Sequence, residues 1–447
     1  MQSDRHTQLS SIHLLLKPRC FLSYHHDEST TTKISSIDRF KLSTTTIGTR
    51  LWDDYSTAVD FRSLANDDSE SFWELVKTQF VFASGLHYFN NASLGSCPIP
   101  VRHATKEARD TLDGFPSKYM WGGWDDEKEK VRQKIGDLFS VSPEEIALIH
   151  NTTEGMNLIA KSFDLQAGDE VILANHEHTS GSVCWKVFQE SKGVNIIRPE
   201  LPLIPNSPEE IVEVYRNAIT DRTKIISITH IVNTNGMILP VKQISEMAYE
   251  KGILVAVDGA QAPGMIDIDL ADLGCDFYTT STHKWLFSPK GMGVLYAKAS
   301  SQHYLKPLIV CRGYKDESIR RLENYNTRNL PELMGLGASV DFINQIGIKK
   351  IEARSLELKR YFRSKVESIP SLKLKTPEPD SLSAAIQVVE ILGKDVKEAK
   401  EYLYEHAQID CRPMTKFDLN ALRFSFAIYI TKADVDFLVN TLEEYAV

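Results

Sequence analysis

Val255-Ala256-Val257-Asp258 is a run of small and β-branched residues that ends in an acid. Twenty-six residues further on, Phe277-Tyr278-Thr279-Thr280-Ser281-Thr282-His283-Lys284-Trp285 delivers a lysine into a turn rich in Ser, Thr and His. A carboxylate at a strand end is either a turn former or the partner of something cationic, and a lysine there is ordinarily solvated. Beside Lys284, however, Ser281 and His283 are donors suited to a phosphate, and Trp285-Leu286-Phe287 continues as apolar wall. A lysine in such a pocket loses hydration, its pKa falls, and the neutral amine becomes a nucleophile toward an aldehyde. Pyridoxal 5′-phosphate is such an aldehyde. Its pyridine nitrogen must stay protonated if the ring is to withdraw electrons, a proton that a carboxylate such as Asp258 would hold. Gln261, three residues on, can donate to the ring's phenolate oxygen.

The phosphate needs its own anchor. His150-Asn151-Thr152-Thr153-Glu154-Gly155 joins a strand to a helix whose free N–H groups and dipole favour anions, although a plain threonine cap uses the same geometry. Asn175-His176-Glu177-His178-Thr179, at another strand end, offers an imidazole to stack on the cofactor. His176, His178 and His230 would suit a zinc hydrolase instead, but no further Cys or His lies at the usual ligand spacing, and no metal is expected.

These motifs need a scaffold that gathers strand ends. From about Glu144 short β-rich runs alternate with helical stretches, the pattern of a doubly wound, mostly parallel sheet. Strands are predicted at Glu145–Ile149, Glu170–Ala174, Val194–Ile197, Lys224–Val232 and Ile253–Val257. Helices are predicted from Thr152 or Thr153 to Ser162, over Ser180–Ser191 and over Val241–Glu250; another opens at Ser207-Pro208-Glu209-Glu210, which reads as a capping box. After about residue 330 longer helices, Ile348–Val366 and Val396–His406, are separated by strand candidates at Ser383–Val389 and Ala421–Ile428, the texture of a smaller α/β domain. The expected organisation is an N-terminal extension (1–70), a segment packing with the small domain (71–86), a large domain (87–325) and a small C-terminal domain (326–447).

Of the 447 residues 42% are hydrophobic and 25% charged, which suits a globular enzyme. The net charge of −9, with 51 basic and 60 acidic residues interspersed, excludes a polyanion-binding stripe, so no nucleic-acid partner is expected. No apolar run is long enough for a membrane span. Six cysteines without CxxC spacing read as reduced thiols of a cytoplasm-like compartment. Residues 1–50 hold 16 Ser/Thr, seven Lys/Arg and four Asp/Glu, and are either a disordered tail or an organellar import signal.

From about Phe72 to Val447 these motifs resemble, in order, the class V aminotransferase and cysteine desulfurase group of fold-type I pyridoxal-phosphate enzymes. The resemblance implies that Lys284 is the Schiff-base lysine, that Asp258 partners the pyridine nitrogen, and that Gln261 lies beside the phenolate oxygen. It implies His178 as the stacked imidazole, Thr153, Ser281 and His283 as phosphate ligands with Thr152 beside them, and Asn233 near substrate and ring. Leu422-Arg423-Phe424-Ser425 resembles the motif whose arginine clamps the substrate α-carboxylate, which suits the planar fork of a guanidinium; Arg412 resembles a second arginine of that site. Asn326-Thr327-Arg328-Asn329 resembles the loop that reaches a neighbouring subunit's phosphate, which implies a homodimer.

Desulfurases of this group carry a persulfide-forming cysteine just before the clamping arginine, whereas Pro413 to Leu422 contains none. Tyr88-Phe89-Asn90-Asn91-Ala92-Ser93-Leu94-Gly95 is similar instead to the isopenicillin N epimerase-like branch of epimerases, carbon–sulfur lyases and cyclases. The expected function is removal of the Cα proton of an amino acid or derived metabolite by Lys284; transamination and desulfuration are the alternatives.

Overall fold

The computed structural model describes residues 59–64 and 66–447. The targeting or tail reading of residues 1–50 lies outside them.

The strands, in chain order, are β1 (His87–Tyr88), β2 (Ile146–Ile149), β3 (Glu170–Leu173), β4 (Asn195–Ile197), β5 (Thr223–Thr229), β6 (Leu254–Asp258), β7 (Phe277–Ser281), β8 (Gly293–Ala297), β9 (Leu372–Leu374), β10 (Ile386–Ile391), β11 (Ile409–Asp410), β12 (Arg412–Met414) and β13 (Ala421–Ser425). Seven of them form one sheet in the order β2-β8-β7-β6-β5-β3-β4. β8 runs antiparallel to both neighbours and the remaining pairs are parallel. Side chains of a strand alternate between faces, and the alternation here feeds two apolar layers. Leu148, Ile172, Ile226, Ile228, Val255 and Val257 enter one; Ala147, Ile149, Val171, Leu173, Ile225 and Ala256 enter the other. Helices Thr152–Ser162 and Thr179–Lys192 cover the second layer through Met156, Ile159, Trp185 and Phe188. Helices Pro208–Ala218 and Val241–Tyr249 cover the first through Ile211, Tyr215, Ile244 and Met247. This is the mostly parallel, doubly covered sheet expected of fold type I.

A second, antiparallel sheet, β12-β13-β10-β9, follows in the C-terminal part. Helix Glu70–Lys77 is tied to the C-terminal helices by ion pairs from Glu70 to the buried Arg354 (2.8 Å) and from Lys77 to Asp434 (2.6 Å). β1 pairs in parallel with β11 and brings the Asn90–Gly95 segment next to β13.

Three local readings need correction. β5 ends at Thr229, not Val232, because the chain leaves the sheet: Gly236 N–H donates to Val232 O at a positive φ of 76°, closing a turn around Asn233. β13 ends at Ser425 rather than Ile428, and Phe426 N–H turns to Ala385 O. Ser207 does precede helix Pro208–Ala218, but its side chain makes no cap. The Glu210 carboxylate reaches back instead to Asn206 N–H (3.1 Å), one residue beyond the expected cap.

Candidate active site

The carboxyl ends of β5, β6 and β7 are where loops of a parallel sheet gather ligands. Asn233 follows β5, Asp258 closes β6, and Ser281 closes β7 just before His283 and Lys284. His178 caps helix Thr179–Lys192 after β3, its Nδ1 accepting from Ser180 N–H (3.2 Å), which leaves the ring proton on Nε2 while the imidazole is neutral.

A cavity of about 380 Å³ opens here, lined by Ser93, His178, Asn233, Gln261, Lys284 and Arg423 among others. Lys284 is held from several sides. Gly95 N–H donates to His283 O (2.9 Å), and any Cβ at Gly95 would lie 2.0 Å from Lys284 O, so only glycine lets the two segments approach. Trp285 is buried, and its Nε1–H donates to Gln261 Oε1 (2.8 Å). Burial strips water from the Lys284 ammonium and brings its pKa down to about 8, with Arg423 adding repulsion and Asp258 opposing both.

Asp258 takes the turn-forming role its position allowed. Oδ1 accepts from Ala260 N–H (3.0 Å) as in a turn. Oδ2 faces Gly181, where a Cβ would stand only 3.1 Å away. Gln261 has less freedom than expected, because Nε2 already donates to Ala92 O (2.9 Å) and one hydrogen remains.

The phosphate candidates divide. Thr152 N–H donates to Ser281 Oγ (3.0 Å), and the two hydroxyl oxygens stand 2.9 Å apart, fastening the helix start to the end of β7. Buried beside Lys284, His283 Nδ1 lacks a partner, and burial lowers the ring's pKa to about 4, so it is neutral. Thr153 is exposed at the second helical position, where N–H groups have no intrahelical acceptor. Thr327 is exposed on its loop and does not line the cavity.

Arg423 is buried on β13. Nη1 donates to Asn233 O (2.7 Å), Nη2 to Ser93 Oγ (2.8 Å), and Nε has no partner. No described carboxylate pairs with it, and burial, with repulsion from Arg412, lowers its pKa to about 10. Arg412 lies opposite it in register on β12 and lines the same cavity. The histidines of the zinc reading disperse: His176 packs on Phe417 (4.4 Å between rings), and His230 Nδ1 is 2.9 Å from the Tyr278 hydroxyl. Among the described residues no group of three or more His, Cys, Asp and Glu could hold a metal ion.

A half-buried lysine with a lowered pKa, an acid at the neighbouring strand end, an orphaned imidazole nitrogen and a guanidinium without counter-charge fit a phosphorylated aldehyde and an anionic substrate. The profile of the family described as Aminotransferase class-V matches residues 123–438. Isopenicillin N epimerase of Streptomyces clavuligerus is 31% identical over 388 residues, covering 83% of this chain and 98% of that protein. A probable cysteine desulfurase of Halalkalibacterium halodurans is 30% identical over 400 residues, 83% of this chain and 95% of its own length. Among solved structures, the cysteine desulfurase CsdA of Escherichia coli shares the fold with a TM-score of 0.73 at 24% identity, covering 83% of this chain and 98% of that one. A variant of C-DES with glycine covalently linked to its PLP cofactor gives 0.75 at 19% identity, with 82% and 99% covered. The chain therefore belongs to the class-V aminotransferase family of enzymes. Its cofactor is pyridoxal 5′-phosphate, and its chemistry is that of amino acids.

Sequence reading passed over Glu177. Its Oε1 accepts from Thr229 N–H (2.9 Å), while Oε2 is buried without a partner. Burial, then the charge of Asp258, raises its pKa well above the carboxylate range; Arg198 opposes weakly. The signal was invisible because the pocket is built by Thr229, far away in sequence. A carboxyl whose folded pKa is raised holds a proton that the unfolded chain releases, so it subtracts stability as pH climbs above about 4.3. Glu177→Gln removes that term. Its melting midpoint relative to wild type should rise between about pH 5 and pH 8; an unchanged gap would show that Glu177 is ionised in the fold.

Proposed function

We propose that this enzyme removes the Cα proton of an amino acid or amino-acid-derived metabolite, with epimerase, lyase or cyclase outcome, and without a persulfide on the enzyme. The observation that carries the reading is the cavity shared by Lys284 and the unpaired Arg423. Bound pyridoxal phosphate supplies an aldehyde carbon for an amine and a cationic ring that accepts the electron pair of a broken Cα bond. Asp258 holds the proton on the ring nitrogen, Thr152, Thr153, Ser281 and His283 take the phosphate, and the neutral His178 ring covers the cofactor. Arg423 clamps the α-carboxylate with its fork while Asn233, whose carbonyl already orients that fork, lies beside the substrate. Lys284 would anchor the cofactor, and its Nζ is the group placed to receive the Cα proton. Thr327 serves the neighbouring active site of a homodimer.

Desulfuration needs an exposed, ionisable thiol. β12 and the loop after it place Pro413, Met414, Thr415 and Lys416 at the cavity, none a cysteine. Cys411 is buried, and desolvation pushes its thiol up to about 12.

Two measurements follow. With the amine of Lys284 titrating near 8, cofactor uptake by apoenzyme should accelerate about tenfold per pH unit below that value and level off above it; a pH-independent rate would contradict the assignment. Holoenzyme incubated with an amino-acid panel in deuterated water should exchange Cα hydrogen, and Lys284→Ala should lower that exchange by roughly 10²–10⁴-fold. Sulfide release that vanishes in Cys411→Ser would favour desulfuration instead.

A further inference from the structure

The cavity carries more positive charge than one α-carboxylate requires. Besides Lys284, three basic side chains line it, Arg412, Lys416 and Arg423, and no acidic one does. Like charges directly opposite one another on an antiparallel pair destabilise it, yet Arg412 and Arg423 are register partners across β12 and β13. Neither Arg412 nor Lys416 enters any ion pair with a described carboxylate, although 27 ion pairs occur elsewhere in the described chain. Lys416 is set in place by an unusual backbone: Phe417 and Asp418, which follow it, both adopt left-handed conformations (φ 57° and 56°) that L-residues avoid. Phe417 is then wedged against the buried His176 ring. The turn faces solvent, and its left-handed backbone sets the exposed Lys416 at the outer edge of the cavity.

We propose that Arg412 and Lys416 form a second anion site, so that the substrate is an amino acid whose side chain itself ends in an anionic group such as a carboxylate. The assignment rests on the preceding reading that Arg423 takes the α-carboxylate. Arg423 is buried and committed to Asn233 and Ser93, so it faces one carboxylate at a fixed place. Arg412 and Lys416 flank Pro413–Thr415 at the outer wall and meet the part of the substrate beyond Cα. Both side chains are exposed at the mouth of the cavity, where an anion forms charge-assisted hydrogen bonds with both and relieves the repulsion between Arg412 and Arg423, which a neutral side chain cannot do.

Calorimetric titration of the holoenzyme with glutarate and with valerate, equal in carbon number, tests this without turnover. Glutarate should bind roughly tenfold more tightly, the effect of one charge-assisted contact. Lys416→Met should bring glutarate down to the level of valerate and leave valerate within twofold of wild type. Cα exchange should show the same preference for glutamate over glutamine. Equal binding of the two acids by wild type, or a preference that survives both Lys416→Met and Arg412→Met, overturns the second anion site alone. Valerate binding undiminished in Arg423→Met overturns the α-carboxylate reading beneath it, and the second site with it. Should Arg423→Met fail to fold, Arg423→Lys, which keeps the charge and loses the fork, gives the same readout.

Discussion

Removing water from the Lys284 ammonium is the constraint on which the site depends. An amine with an ordinary lysine pKa is protonated at neutral pH and inert toward aldehydes. Burial of the ammonium and the cation Arg423 bring it down to about 8, against the pull of Asp258, while Trp285 and the backbone grip of Gly95 hold the turn that carries it. Each of these comes from a different part of the chain: the β1 loop, the end of β6, the turn after β7 and β13. The seven-stranded sheet brings the second and third together, and the pairing of β1 with β11 brings in the first beside β13.

The same burial explains the anion preference. Arg423 cannot be hydrated, and its carbonyl and hydroxyl contacts do not neutralise it. A buried cation so placed is a standing penalty that an incoming carboxylate removes, so stability is exchanged for affinity at this position. Glu177 shows the opposite solution to the same low dielectric: an acid crowded by Asp258 keeps its proton.

Much of this was legible in the sequence because the physics was local. Doubly covered strands such as Ile146–Ile149 and Glu170–Leu173 are short apolar runs that read as such, and helix Ile348–Val366 keeps its expected bounds. Asp258, Ser281 and Lys284 could be placed because strand ends converge in any parallel sheet. What escaped was non-local. The end of β5 depends on a turn around Asn233 that competes with the ladder. The cap before Pro208 fails because Glu210 prefers Asn206. Glu177 and Lys416 look like surface charges in the sequence; the strand register buries Glu177, and the left-handed turn at Phe417 and Asp418 sets the exposed Lys416 at the edge of the cavity.

The central claim is that Lys284, of all lysines in the chain, carries the cofactor. Borohydride reduction of the holoenzyme followed by peptide mapping tests it most directly. A phosphopyridoxyl group confined to the peptide that contains Lys284 is the predicted result; a group fixed on another lysine, or none fixed at all, would contradict it.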